Sequence, residues 1–288
     1  MIGFIVDTEF IWGFQARTVG LSKTSPSFHY PPPTTFLGAL AEVLSKENNL
    51  GENLGRLVIN ELSENLLAIG FRPLNCVPIK YEDLNRIIMV RTVGGTIKSP
   101  SPTDPYGSFD SPARGKTVLA SLNGEAPKVR WFLLFKNGTI NVKNNLLRIK
   151  LDTISLDEES FWKIHRLGSK ESKVSVTEAK KADNIVVSLN KYAITNYSFP
   201  IIALDENSEE KTRRWENEVY INPYLGKIYD EGEGILHKHL KGFEYLRVFK
   251  IPIMISNRNS PEYVVKVKNG WRAYLVKHEE KEVVIGRL

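Results

Sequence analysis

A chain of 288 residues with 42% hydrophobic and 10% aromatic content can bury a sizeable core, which excludes a disordered segment and allows one large domain or two small ones. Apolar runs such as residues 131–135 fall well short of the roughly 18 residues a membrane span needs, and Asp7 and Glu9 interrupt the apolar N-terminus, so a soluble, cytoplasmic protein is expected. The net charge of +6 is regional: residues 86–150 hold 11 basic and 3 acidic side chains, a net +8 that leaves −2 for the rest, and such a local excess is what a phosphate-binding surface needs. The single Cys76 excludes an internal disulfide and a cysteine-rich zinc site, and no cofactor is expected.

In chain order, residues 2–14 read as a first strand. Pro31, Pro32 and Pro33 lead into Thr34 and Thr35, and Leu37, Leu40, Ala41 and Leu44 then follow the spacing of one helix face. A second helix is predicted near 53–66, with Leu54, Leu57, Val58, Leu62 and Leu66 on one side, before Gly70 and Pro73 punctuate a short strand. Residues 87–93 and 129–135 read as strands, the second buried on both faces. Between them, residues 94–127 are rich in Gly, Pro and Ser without periodicity, too long for an ordinary connection, and are expected to form a protruding arm. Ser155 with Glu158 matches a capping box and predicts a helix over 156–167 that Gly168 ends. Residues 185–189 form a further strand, 205–217 a charged loop, and the tail from 243 several short strands. This order predicts an α+β fold with helices on one sheet face and the other face offered to a ligand. Residues 1–200 would form the main domain with the arm inserted at about 94–127, and 201–288 a β-rich region packed on it.

Several constellations invite a chemical reading. Asp7 and Glu9 on a strand resemble the paired carboxylates of two-metal nucleases, but the third element at Tyr106 and Asp110 is bracketed by Pro105 and Pro112, so a solvent-facing strand side is preferred. His237 and His239 lack a third ligand at a familiar spacing. His165 with Lys163 or Tyr197 could move protons at a ribose 2′-hydroxyl, or His165 could simply meet helix-end carbonyls. Residues 241–249 partly match the strand signature of RNA-recognition motifs, with Phe243 and Tyr245 as stacking aromatics or as ordinary core. Residues 166–172, RLGSKES, form a plausible anion loop in which Ser169 and Lys170 add contacts to backbone amides.

The segment PPPTTFLGALAEVL at 31–44 after an opening strand, together with RLGSKESKVSV at 166–176, resembles the small backbone subunit of archaeal type I CRISPR surveillance complexes (Cascade). The similarity is greatest to the type I-A branch of this RAMP superfamily and spans the chain to about residue 195. It implies a ferredoxin-like RNA-recognition fold with a thumb, a non-catalytic role in antiviral defence holding the 5′ handle of the guide RNA, and contacts with the backbone filament subunit and the large subunit. One branch of the family cuts repeat RNA itself, but its tyrosine, lysine and histidine cannot be matched residue by residue here. Lys98, Arg114 and Lys116 are the expected phosphate contacts of the arm, with Tyr106 or Phe109 stacking on a base. Arg166, Ser169 and Lys170 follow, then Arg17 and Lys23.

Overall fold

The computed structural model describes residues 1–16, 26–81, 87–88, 91–93, 96–98, 109–110, 116–142, 152–169, 171–188, 191–212, 214–228, 245–256, 260–277 and 281–288. Strand β1, Ile2–Phe10, leads to helix α1, Pro33–Glu47. The proline at its first position suits a helix start because its missing N–H would have no partner there. Leu37, Leu40, Ala41 and Leu44 are all buried, as their spacing predicts. Helix α2, Gly51–Asn65, runs directly into strand β2, Leu66–Pro73, so Gly70 and Pro73 lie within the strand rather than around it.

Strand β3, Cys76–Tyr81, pairs antiparallel with β4, Lys116–Ser121, with Cys76 opposite Ser121 and Tyr81 opposite Lys116. The short strand Gly13–Phe14 flanks β4 on its other side. The arm therefore springs from Tyr81 and Lys116, and the expected boundaries at 94 and 127 shift because β4 pairs into the body. Within the arm, Ile87–Ile88 pairs with Phe109–Asp110 and Arg91–Val93 with Thr96–Lys98.

Strand β5, Lys128–Phe135, is followed by the hairpin of β6, Thr139–Val142, and β7, Asp152–Ser155. Helix α3 is only Glu158–Trp162, capped by Asp157, whose Oδ1 accepts the Ser160 amide at 3.0 Å. The capping box at Ser155 does not form because Ser155 is committed to β7 opposite Thr139. The helix also stops short of 167: the His165 carbonyl accepts from Val174 and draws the chain into a bridge between Arg166 and Lys173. Strand β8, Val174–Ala182, completes a four-stranded sheet of order β8-β1-β5-β2, antiparallel throughout.

Alternation along the strands divides the core. Phe4, Val6, Val129, Trp131, Leu133 and Ile69 face α1, α2 and α3, where Phe36 stacks on Trp131 at 4.7 Å and Phe161 on Phe4 at 4.6 Å. Ile5, Ala68, Phe132 and Leu134 face the opposite way and are equally buried, against Tyr197, Tyr274, Val276 and Val284. That second layer comprises β9, Tyr192–Thr195, and, after the pair β10, Trp215–Ile221, and β11, Leu246–Pro252, which gives Tyr220, Phe249 and Ile251 to the helix-side core, strands β12, Tyr263–Lys266, β13, Trp271–Lys277, and β14, Lys281–Arg287, all in antiparallel pairs. Contact is so close at Gly70 that an added Cβ would lie 2.8 Å from the Ser198 carbonyl oxygen and 3.1 Å from Val284. The sheet face expected to be open to a ligand is thus covered, and β5 carries apolar residues on both sides for that reason. The charged stretch at 205–217 is partly ordered into strands, Glu209–Glu210 and the start of β10.

Candidate nucleic-acid interface

The two segments singled out in the sequence meet. Thr35, Gly38, Ala39 and Glu42 on the outer side of α1, Gln15 and Ala16 after the first strand, and Arg166, Gly168 and Ser169 line one cleft of roughly 460 Å³. Gly38 and Ala39 keep the helix wall low, while Gly168, at φ +123°, turns the loop so tightly that a Cβ would lie 2.9 Å from the Gln15 carbonyl oxygen. The loop is closed by its own hydroxyls. Ser169 donates both its amide (2.9 Å) and its hydroxyl (3.1 Å) to the Gln15 carbonyl, and Ser172 Oγ donates to the Ser169 carbonyl at 2.7 Å while accepting the Gln15 amide at 2.8 Å. Gln15 is the residue that sequence reasoning missed, since a lone glutamine after a strand carries no motif.

The Ser169 amide and hydroxyl are therefore taken up internally, and the cation in the described wall of the cleft is Arg166. Its Nη2 lies 3.6 Å from Glu42, with the guanidinium side chain 42% exposed. An ion pair this exposed is worth little, so Arg166 can exchange Glu42 for a phosphate at small cost. Glu42 keeps a second partner in Lys46, whose hydrogen bond at 2.7 Å lowers the carboxyl below its usual range. Lys170 and Arg17, one residue beyond Ser169 and Ala16, lie outside the described residues, as do Lys23, Tyr106 and Arg114. Lys98 and Phe109 stand in the short backbone ladders of the arm. Lys116 is exposed at the arm's root, opposite Tyr81, which is also exposed.

Other sequence-level possibilities resolve differently. Asp7 is buried rather than solvent-facing: Arg130, directly opposite it on β5, binds both its oxygens at 2.7 and 2.8 Å. The same guanidinium reaches Glu178 at 3.1 Å and Glu282 at 3.0 Å, and Arg72 joins Glu282 at 2.9 Å. Glu9 instead approaches Lys128 at 3.8 Å. This pairing uses up the carboxylates a two-metal site would need, and it removes Arg130 from the basic excess available to a polyanion. Among the described residues, no group of three His, Cys, Asp or Glu side chains could hold a metal ion.

His165 and Tyr197 do not come together. Ile164 and Leu167, on either side of His165, enter the helix-side core, whereas Tyr197 is fully buried beneath the second layer, its ring 6.1 Å from Phe132. Lys163 pairs with Glu47. In the RNA-recognition-like stretch, Tyr245 precedes β11 and Phe249 is core, packed on Tyr220 at 5.5 Å. Phe243, His237 and His239 fall outside the described residues.

No family model matches the chain. Over its whole length, and the whole of the other chain, it is similar to a CRISPR protein from Archaeoglobus fulgidus known as a crystal structure, with 42% identity and a TM-score of 0.68. Over 212 residues, 73% of this chain and 72% of the relative, it is 26% identical to the CRISPR-associated protein Cas5 2 of Saccharolobus solfataricus.

Proposed function

The chain belongs to the Cas5-type, RAMP-class CRISPR-associated subunits, and from that premise we propose that it is a non-catalytic RNA-binding subunit of a type I surveillance complex. It holds the repeat-derived 5′ handle of the guide RNA and contacts the backbone filament subunit and the large subunit. The observation that carries this reading is the cleft in which α1 and the 166–169 loop converge, beside the root of the basic arm. A ferredoxin-like core is supported by the strand order, since β1, β2, β5 and β8 are the first, second, third and fourth strands of a β-α-β-β-α-β path arranged four-one-three-two.

The covered sheet face directs RNA to the arm and the cleft instead of to stacking aromatics on open strands. Against catalysis stands the separation of His165 from Tyr197 by the sheet itself. The test is fluorescence anisotropy with labelled handle RNA across a salt series. The expected result is log K falling linearly with log salt, and a slope shallower by about 2 when Lys98, Arg114 and Lys116 are neutralised together, at roughly 0.7 per phosphate contact on a single strand. Repeat RNA incubated with the protein in EDTA should remain intact; site-specific cleavage lost on His165→Ala would replace this reading with that of a metal-independent endoribonuclease.

A further inference from the structure

Outside the residues that line the cleft, one buried carboxylate gathers donors from three separate segments. Glu218 on β10 is 8% exposed. Its Oε1 accepts the main-chain amide of His29 at 2.9 Å and lies 2.7 Å from His29 Nδ1, and its Oε2 accepts the Tyr220 hydroxyl at 2.7 Å. Lys80 Nζ on β3 stands 3.6 Å from Oε1. The group is at the root of the arm: Lys80 is one residue before Tyr81 and opposite Thr117, whose hydroxyl donates to the Phe28 carbonyl.

The chemistry of the carboxylate fixes the imidazole. An ionised glutamate only accepts hydrogen bonds, so Nδ1 carries the hydrogen facing Glu218, and on the neutral ring Nε2 keeps a lone pair. Among the described residues Nε2 has no hydrogen-bond partner, and the His29 side chain is 23% exposed beside a Lys80 side chain that is 34% exposed. A purely structural strut would be complete with the Tyr220 hydroxyl and the His29 amide. It has no need of a part-open imidazole with an ammonium next to it.

We propose that His29 and Lys80 form a ribose-phosphate contact point at the arm's root, with Lys80 on a phosphate oxygen and His29 Nε2 accepting the hydrogen of the adjacent ribose 2′-hydroxyl. Glu218 is the positioning residue that sets the tautomer. The proposal rests on the reading that this chain binds RNA, and it adds a means of telling RNA from DNA, because the 2′-hydroxyl is the group the two do not share.

The experiment compares handle RNA with DNA of the same sequence on the intact protein. His29→Asn keeps a donor where Nδ1 stands and deletes the Nε2 acceptor. It is expected to lower RNA affinity roughly threefold to tenfold, the worth of one hydrogen bond, and to leave DNA affinity unchanged. Lys80→Ala is expected to weaken both nucleic acids alike and to flatten the salt slope by about 0.7. Glu218→Met, its fold checked by circular dichroism, deletes the oxygen that accepts from Nδ1 and is expected to shift the imidazole ¹⁵N resonances towards the other tautomer and to lower the RNA-to-DNA ratio. An RNA-to-DNA ratio that is the same in His29→Asn as in the native protein overturns the proposal while leaving RNA binding intact. A native protein that binds neither nucleic acid overturns both readings together.

Discussion

Replacing Arg130 with methionine would remove the cation on which three carboxylates converge, and the cost can be worked from the geometry. Asp7 and Glu282 are 6% and 1% exposed, and Asp7 lies opposite Glu178 across the β1–β8 pair, so the variant leaves like charges facing one another with little water between them. Removing one partner of a buried ion pair typically costs about 3–5 kcal/mol, which at roughly 2–4 °C per kcal/mol is a fall of about 6–20 °C in melting temperature. Acidification supplies the second half of the test. Burial alone would raise the Glu282 carboxyl, but Arg72 and Arg130 outweigh it and hold the group below its usual range. In the native protein Glu282 therefore contributes stability that is present above the unfolded carboxyl pKa of about 4.3 and is lost as pH falls through the lower folded value. In the variant, protonating the stranded carboxylates relieves repulsion, so the stability gap should narrow as pH falls below about 5. Urea titrations from pH 7 to pH 4 on both proteins measure this. A loss under about 1 kcal/mol at pH 7, or a gap that widens on acidification, would refute the reasoning.

Further outcomes follow from single sites. Burial pushes the Cys76 thiol up to about 12, so iodoacetamide at pH 8 should leave the native protein unlabelled and modify it fully in denaturant, as mass spectrometry would register. Gly70→Ala forces a methyl against the Ser198 carbonyl and Val284 and should destabilise the protein by about 1–3 kcal/mol in urea, with loss of contact between the two layers detectable as faster hydrogen exchange in β14. Arg166→Ala should weaken handle-RNA binding and flatten its salt slope by about 0.7 with no change in stability beyond about 0.5 kcal/mol in urea, since its pairing with Glu42 is exposed.

Much of the helix side was legible because periodicity there reports a single buried face. Leu37, Leu40, Ala41 and Leu44 point one way, and nothing tertiary competes with that pattern. Ser155 was misleading because a capping box and a hairpin strand use the same residue, and the pairing with Thr139 is a contact that local spacing does not reveal. The strand Cys76–Tyr81 was hidden by Pro78 in its middle, yet β3 is the outer strand of its three-stranded sheet, where a missing N–H is tolerated. The cleft could be anticipated only as two separate motifs, since they meet through the pairing of Arg166 with Glu42 and the loop is held by Gln15, 154 residues from Ser169. The covering of the second sheet face was invisible for a related reason: β1 and β5 look alike whether a ligand or a second layer buries their odd-numbered or even-numbered sides.

Strand β1 is central in its sheet, and both its neighbours are made much later: Asp7 meets Arg130, 123 residues on, and β8 comes later still. At synthesis rates of about 5–20 residues per second, this apolar strand waits roughly 6–25 s for its first partner. During that interval Phe4, Ile5 and Val6 are available to other chains, so the yield of folded protein should depend more on chaperone supply and growth temperature than its final stability would imply. Lowering the temperature slows elongation but also weakens the hydrophobic attraction that drives misassociation, and soluble yield in cells grown at low and high temperature is where the early exposure of β1 would make itself felt.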